Sequence, residues 1–262
     1  MCTSSYSRFD GGRIGVLCLR QGTPGQPQLL CFPHAGGGPT AFSTLAAQLP
    51  RGWAIHAVDA PGHGRTTGEP LTSVEELASA YLRALPPALL ESVFVGHSLG
   101  GYVALALCQA VPERARALVL TASAPPHRRV PGLRPSTWAD EPLLGWLQQI
   151  GGGWPSIEDP RLFQTFSAAL RADLRAYETF EAPRYAPEHL PILLGGGEFD
   201  PMCTPERFER WRDLLPHGAL RFFPGGHFFL QTHAALVASE LQQLVERLPA
   251  RPRNLAAPGD RG

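Results

Sequence analysis

The sequence predicts an α/β fold: a mostly parallel central sheet flanked by helices, with a helical insertion above it. Three observations lead there. Short β-rich runs alternate with segments of helical periodicity along the 262 residues, the later runs are nearly continuous in apolar residues, and the interval 124–190 contains no convincing strand. Alternation of strand and helix is the pattern of a parallel sheet, and strands covered by helices on both faces must be apolar on both.

In chain order, the predicted strands are RIGVLCL (13–19), QLLCF (28–32), AIHAV (54–58), SVFVG (92–96), ALVLTA (117–122), PILLGG (191–196) and ALRFF (219–223). Helices are expected over 40–49, 74–89, 99–111, 204–214 and 232–247. Between Ala124 and Leu190 the rhythm stops, and Trp138, Trp146 and Trp154 fall among Leu143, Leu144, Leu147, Phe163 and Phe166. A helical lid over the sheet fits that composition better than a second domain. Its first residues, APPHRRVPGLRP, are rich in Pro and Arg and read as a linker. Residues 249–262 (PARPRNLAAPGDRG) have no periodic apolar face and are expected to form a disordered tail. One domain over 1–262 accommodates these parts, since α/β folds commonly reach this length around a single sheet.

With 44% hydrophobic and 18% charged residues, the chain can bury a large core. Lys plus Arg (23) balances Asp plus Glu (23), which argues against the basic field that drives nucleic-acid or anionic-membrane binding. The opening MCTSSYSRFD lacks the apolar core of a signal peptide, and no apolar run approaches the roughly 18 residues that span a bilayer. A cytoplasmic protein is therefore expected, with neither membrane nor nucleic acid as partner. Its five cysteines are scattered without a C-x-x-C pair, so free thiols rather than a zinc or redox site are expected.

The chemistry begins at Gly96-His97-Ser98-Leu99-Gly100, which matches the nucleophile-elbow pattern G-x-S-x-G. Context gives the match its weight. SVFV before it reads as a strand and LGGYVALALCQAV after it as a helix, so Ser98 falls on the strand-to-helix turn. Flanking glycines remove the Cβ atoms that would collide in so tight a turn. These features predict the α/β-hydrolase fold.

A serine hydroxyl is a weak nucleophile until a base takes its proton, and the fold places an acid and then a histidine later in the chain, at strand ends. Asp200 follows PILLGGG, and His227 follows ALRFFPGG. Glu198 is the alternative acid; Asp200 is preferred because it lies deeper in the turn. Among nine histidines, His97 neighbours Ser98, His56 sits in a strand, His217 precedes the last strand and His233 falls in the final helix, whereas His227 lies in the Gly-flanked loop after the last strand and is the expected base. The backbone N–H of Leu99 opens a helix and suits an oxyanion. The second donor is expected from Phe32-Pro33-His34-Ala35-Gly36-Gly37-Gly38, with the Ala35 N–H assigned. This run has neither G-K-[ST] nor G-x-G-x-x-G with an acidic partner, so nucleotide binding is a poor reading.

Together, FPHAGGG (32–38), GHSLGG (96–101), LRADLRAYETF (170–180), GGGEFDP (195–201) and PGGHFFL (224–230) resemble the type II thioesterases, stand-alone editing hydrolases of polyketide and non-ribosomal peptide synthesis. The resemblance spans about 28–248. It implies Ser98, Asp200 and His227 as the triad, Ala35 and Leu99 as the oxyanion hole, and the lid as part of an acyl chamber, with Trp138, Trp146, Phe163 and Phe166 as lining candidates. The implied partner is an acyl- or peptidyl-carrier protein bearing acyl-phosphopantetheine, with no metal or other cofactor and a monomeric enzyme. Arg128, Arg129 and Arg134 at the lid's entrance are expected to meet that acidic partner. The loop Asp59-Ala60-Pro61-Gly62-His63-Gly64-Arg65 departs from the Tyr-Pro-Gly-Arg loop usual in the family and is closer to a general hydrolase. A carboxylesterase acting on small oxygen esters, a chain-releasing thioesterase and a non-catalytic binding protein of the same fold are the competing readings.

Overall fold

A computed structural model of the chain describes residues 5–151, 160–181 and 189–249. The strands are β1 (Ser5–Phe9), β2 (Ile14–Arg20), β3 (Gln28–Phe32), β4 (Ala54–Asp59), β5 (Val93–His97), β6 (Ala117–Thr121), β7 (Ile192–Gly197) and β8 (Ala219–Phe223). The helices are α1 (Ser43–Gln48), α2 (Val74–Ala84), α3 (Pro87–Leu90), α4 (Leu99–Ala110), α5 (Asp140–Ile150), α6 (Pro160–Thr179), α7 (Pro205–Phe208), α8 (Phe229–Thr232) and α9 (Ala234–Glu246).

The strands form one sheet in the order β1-β2-β4-β3-β5-β6-β7-β8, antiparallel at β1/β2 and β2/β4 and parallel from β4 to β8. Every residue of β5, β6 and β7 is buried, as their unbroken apolar runs require. Successive side chains leave opposite faces of a strand, which sorts the core into two layers. Phe94, Leu118 and Leu120 join Tyr102 and Leu107 of α4, whereas Val93, Val95 and Val119 join Leu45 of α1 and Val237 and Leu241 of α9. Helices on both faces thus fix the register of the central strands, and with it the level at which each carboxyl end stops. Among the described residues, no helix is long and apolar enough to cross a membrane.

Several boundaries differ from expectation for local reasons. β1 lacked a sequence signal because SYSRF is a mostly exposed edge strand with no apolar alternation. The helix expected over 74–89 divides at Leu85, because Pro86 and Pro87 cannot continue α2; Pro87 instead opens α3. The segment 204–214 is one turn of α-helix, α7, followed by a 3-10 turn over Glu209–Asp213. Cys18, Cys31, Cys108 and Cys203 are buried, and none of the four is in a disulfide.

The described part of 124–190 holds no strand; its helices α5 and α6 share a small core of Leu143, Leu147, Phe163, Leu170 and Leu174. The expected linker at its start is a correction: Ala124, Pro125 and Pro126 are buried. Arg129 is anchored too, its guanidinium donating to the carbonyls of Pro126, Tyr177 and Phe180. The reason is that the last carbonyls of α6 lack intrahelical donors, and Arg129 supplies them. Arg171 binds the carbonyls of Ser136 (3.0 Å) and Trp138 (2.6 Å), and Glu178 accepts from Ser136 N–H (2.8 Å) and Oγ–H (2.6 Å). Trp154, the glycines at 152 and 153, and the tail beyond Pro249 lie outside the described residues.

Candidate active site

Ser98 stands between β5 and α4 with φ 54° and ψ −118°, a left-handed backbone that disfavours a side chain. Such strain, of order 1–3 kcal/mol, persists only where the surroundings over-determine it. Here they do. A Cβ on Gly96 would come within 2.2 Å of the Gly100 carbonyl oxygen, and one on Gly100 within 2.0 Å of the Phe32 carbonyl oxygen, so the glycines let β5, α4 and β3 close on the turn. From β6, the Thr121 carbonyl accepts from Ser98 N–H (2.8 Å), and Ser123 Oγ–H donates to the Ser98 carbonyl (2.7 Å).

Asp200 follows β7 and is buried, while Glu198, two residues earlier, is exposed. His227 follows β8 through Gly225, whose φ of 105° turns the chain back over the sheet. Its Nδ1–H donates to Asp200 Oδ2 at 2.9 Å, and Met202 N–H donates to Oδ1 at 2.8 Å. Held through Oδ1 by Met202, the carboxylate points Oδ2 at the imidazole. Ser98 and His227 line one cavity of about 40 Å³ with His34, Ala35 and the lid residues Trp146, Leu147, Ile150, Leu170, Leu174 and Tyr177. A larger cavity, about 180 Å³, touches Gln28, Val93 and Arg116 at the amino ends of β3, β5 and β6. That is the wrong end of a parallel sheet for chemistry.

Of the four aromatic lining candidates, Trp146 reaches the cavity. Phe163 is buried in the lid's own core, where Trp138 and Phe166 pack against it. Ala35 lines the cavity directly, and Leu99 opens α4 beside it. His97 turns its Nδ1 toward Thr121 Oγ (2.9 Å), yet its ring packs 5.5 Å from that of His227. Burial holds His97 well below the usual imidazole range and pushes His34 down to about 4, with His227 adding to both effects. Both are therefore neutral at neutral pH. Among the described residues, no group of three or more His, Cys, Asp or Glu side chains could hold a metal ion.

Sequence reasoning assigned no role to two further residues at this site. Asp173 on α6 is buried, and its Oδ2 accepts from Gly36 N–H at 2.7 Å and from His63 Nε2 at 2.9 Å. His63 Nδ1 lies 2.9 Å from the Pro61 carbonyl. Burial opposes charge on His63, but the Asp173 charge and hydrogen bond, the Pro61 carbonyl and Asp59 outweigh it and raise its pKa to about 9. A signal for Asp173 existed in the LRADLRAYETF segment, without any hint of its partner 110 residues away.

Comparison with known proteins matches residues 27–247 to the Thioesterase domain family. A probable cadicidin biosynthesis thioesterase of Streptomyces griseus is 30% identical over 236 residues, which are 86% of this chain and 64% of that protein; the match thus spans less than two thirds of it. The solved type II thioesterase BorB, from the borrelidin biosynthetic cluster, superposes with a TM-score of 0.76 at 29% identity, over 88% of this chain and 97% of BorB. RedJ, a thioesterase from the prodiginine pathway of Streptomyces coelicolor, gives 0.73 at 30% identity, over 82% and 90%. A buried Asp–His pair at two strand ends, a serine on a strained elbow at a third and a helical lid above them accompany those matches: the chain belongs to the thioesterase family, as a type II thioesterase of the α/β-hydrolase fold.

Proposed function

We propose that this enzyme removes acyl groups from the phosphopantetheine arms of carrier proteins, an editing step in polyketide or non-ribosomal peptide synthesis. Ser98, His227 and Asp200 carry the reaction within one domain. The observation behind this reading is the 2.9 Å pair of His227 and Asp200 at the cavity that Ser98 lines beneath the lid. The cadicidin, borrelidin and prodiginine settings of the relatives support a carrier-bound substrate.

In this mechanism His227 Nε2 takes the Ser98 hydroxyl proton as Oγ attacks the thioester carbon, while Asp200 holds the Nδ1–H tautomer and stabilises the imidazolium. The Ala35 and Leu99 N–H groups receive the oxyanion. The tetrahedral intermediate collapses by breaking the C–S bond, and the pantetheine sulfur leaves with the proton from His227. A water, deprotonated by the same imidazole, then attacks the acyl-serine; the bond from the acyl carbon to Ser98 Oγ breaks, the imidazolium returns its proton to Oγ, and the free acid leaves.

The cavity is small. At about 40 Å³, where about 10–15 Å³ is enough to hold one water, it has room for a few water molecules with α5 and α6 as they stand. Acyl chains larger than that require the lid to shift. Arg128, 4.0 Å from Asp213, and Arg134 are exposed at the lid's entrance and are the residues this reading assigns to an acidic carrier, whereas Arg129 is committed to α6. Rim charges of this kind act on association and weaken with salt.

The test compares one acyl group on a carrier protein, on N-acetylcysteamine and as an oxygen ester. The carrier thioester is expected to give the highest kcat/KM. Replacing Arg128 and Arg134 with Ala should raise KM for it alone. A preference for the oxygen ester makes the protein a carboxylesterase, and release of cyclised product instead of free acid makes it chain-releasing.

A further inference from the structure

The oxyanion loop is a turn in which Gly37 N–H donates to the His34 carbonyl at 2.9 Å. In a trans peptide the N–H points away from the carbonyl it shares a plane with. Engagement of the His34 carbonyl by Gly37 therefore turns the Ala35 N–H the other way. The next peptide, Ala35–Gly36, is held at both ends. His34 Nδ1 lies 3.1 Å from its carbonyl oxygen, and its N–H donates to Asp173 at 2.7 Å. Gly36 has φ 66°, as the third residue of a type II turn requires. Such a central peptide can flip with little movement of the turn's ends, and the torsions that absorb the flip belong to Ala35 and Gly36. Asp173 is thus the acceptor that holds one orientation, and it reaches the loop from the lid helix α6. His63, from the loop after β4, fixes that carboxylate in turn at 2.9 Å.

We infer that Asp173, braced by His63, is a positioning residue for the oxyanion hole: through the Gly36 N–H it locks the turn that presents the Ala35 N–H to the substrate. This rests on the reading of Ser98 and Ala35 given above. It adds that the seat of the lid helix and the geometry of the oxyanion hole are one coupled arrangement.

The experiment measures steady-state hydrolysis of an acyl-N-acetylcysteamine thioester by the full chain, with kcat expressed per Ser98 titrated to completion by a fluorophosphonate. Asp173→Ala should lower kcat at least tenfold and leave KM within about threefold, since loss of one oxyanion donor costs roughly 10² to 10³ and here the donor is loosened, not removed. Asp173→Asn, which still presents an acceptor oxygen to Gly36, should recover most of that loss. Asparagine no better than alanine would show that charge, not the acceptor, acts, and would overturn the inference. So would a kcat per labelled site within twofold of the parent for Asp173→Ala, or a loss confined to KM.

Should Asp173→Ala fail to fold, the double variant His63→Leu/Asp173→Leu removes the buried pair without stranding a charge, a replacement that proteins commonly tolerate. It must show the same tenfold loss, and parent-like turnover overturns the inference. Ser98→Ala separates the two levels. If it stays active, the reading of the site falls and this inference with it; if it is inactive while Asp173→Ala keeps full turnover, only the positioning role falls.

Discussion

The strand-end turns and the lid are held by different physics. Ser98 is fixed by main-chain pairing to Thr121, by the Ser123 hydroxyl and by glycine contacts with neighbouring backbone that leave no room for movement. The lid rests on its own small apolar cluster and on side-chain contacts to backbone: Arg129 to the end of α6, Arg171 and Glu178 to the segment before α5, and Asp173 to Gly36. Backbone pairing inside a sheet opens only when the sheet does. Side-chain contacts to a peripheral helix can exchange with water one at a time. In the proposed mechanism the triad is therefore set by the rigid half, and access and chain length by the half whose exposed contacts can be released, with the buried Asp173–Gly36 contact joining the two.

The largest effects should come from breaking the rigid half at its chemistry. Ser98→Ala and His227→Ala are each expected to reduce hydrolysis nearly to background, with strongly non-additive losses because the groups act as one unit. Asp200→Asn should cost on the order of 10⁴ in kcat by analogy with other triads, while exposed Glu198→Gln should cost little. Steady-state kinetics on a single acyl thioester decides it: activity within about tenfold of the parent in Ser98→Ala would remove this serine from the mechanism.

Legibility in the sequence follows the same division. β5, β6 and β7 were readable because burial on both faces demands an unbroken apolar run, and Ser98, Asp200 and His227 because each sits in a short strand–glycine–turn pattern. β1 was not, because an exposed edge strand can carry almost any polar residue. The Asp173–His63 contact was invisible for another reason: it joins residues 110 apart, and nothing local to either encodes the meeting. Arg129 read as a surface charge because the carbonyls that bind it belong to a helix end about fifty residues on. In the lid, composition revealed apolar character but not direction, so Phe163 and Trp146 looked alike although one fills the lid's core and the other lines the cavity.

A smaller effect should appear where the two halves meet. His63 has a folded pKa of about 9 against about 6.5 for an ordinary imidazole. A group whose pKa is raised by folding contributes its full stability below the unfolded value and loses it as pH climbs through the folded one. Stability from this pair should thus decline between about pH 6.5 and 9, by roughly 3 kcal/mol at most from the size of the shift. Denaturant midpoints of the parent and His63→Gln, measured across that range, should converge as pH rises. Parallel curves would mean that folding leaves the His63 pKa unshifted.

The finest comparison takes one glycine from each half. Gly96 in β5 faces backbone: a Cβ there would meet the Gly100 carbonyl oxygen at 2.2 Å and the Gly101 Cα at 2.4 Å, atoms that move only if the elbow moves. Gly145, in the middle of α5, faces open space with nothing within 4 Å of an added Cβ. Overpacking of a tight interior typically costs 1–3 kcal/mol, and Gly96→Ala should show at least that loss together with reduced kcat, because the displaced backbone carries Ser98. Alanine in place of a helical glycine gains roughly 0.5–1 kcal/mol by lowering the entropy of the unfolded chain, so Gly145→Ala should raise stability by about that amount. The gain should leave kcat for a short acyl thioester unchanged, since α5 meets the reacting atoms only through the cavity lining. Thermal melts and kinetics on the two variants sharpen the comparison further. If Gly145→Ala altered turnover as much as Gly96→Ala, the lid would be as much a part of the rigid apparatus as the elbow, and the separation of the two halves would fail.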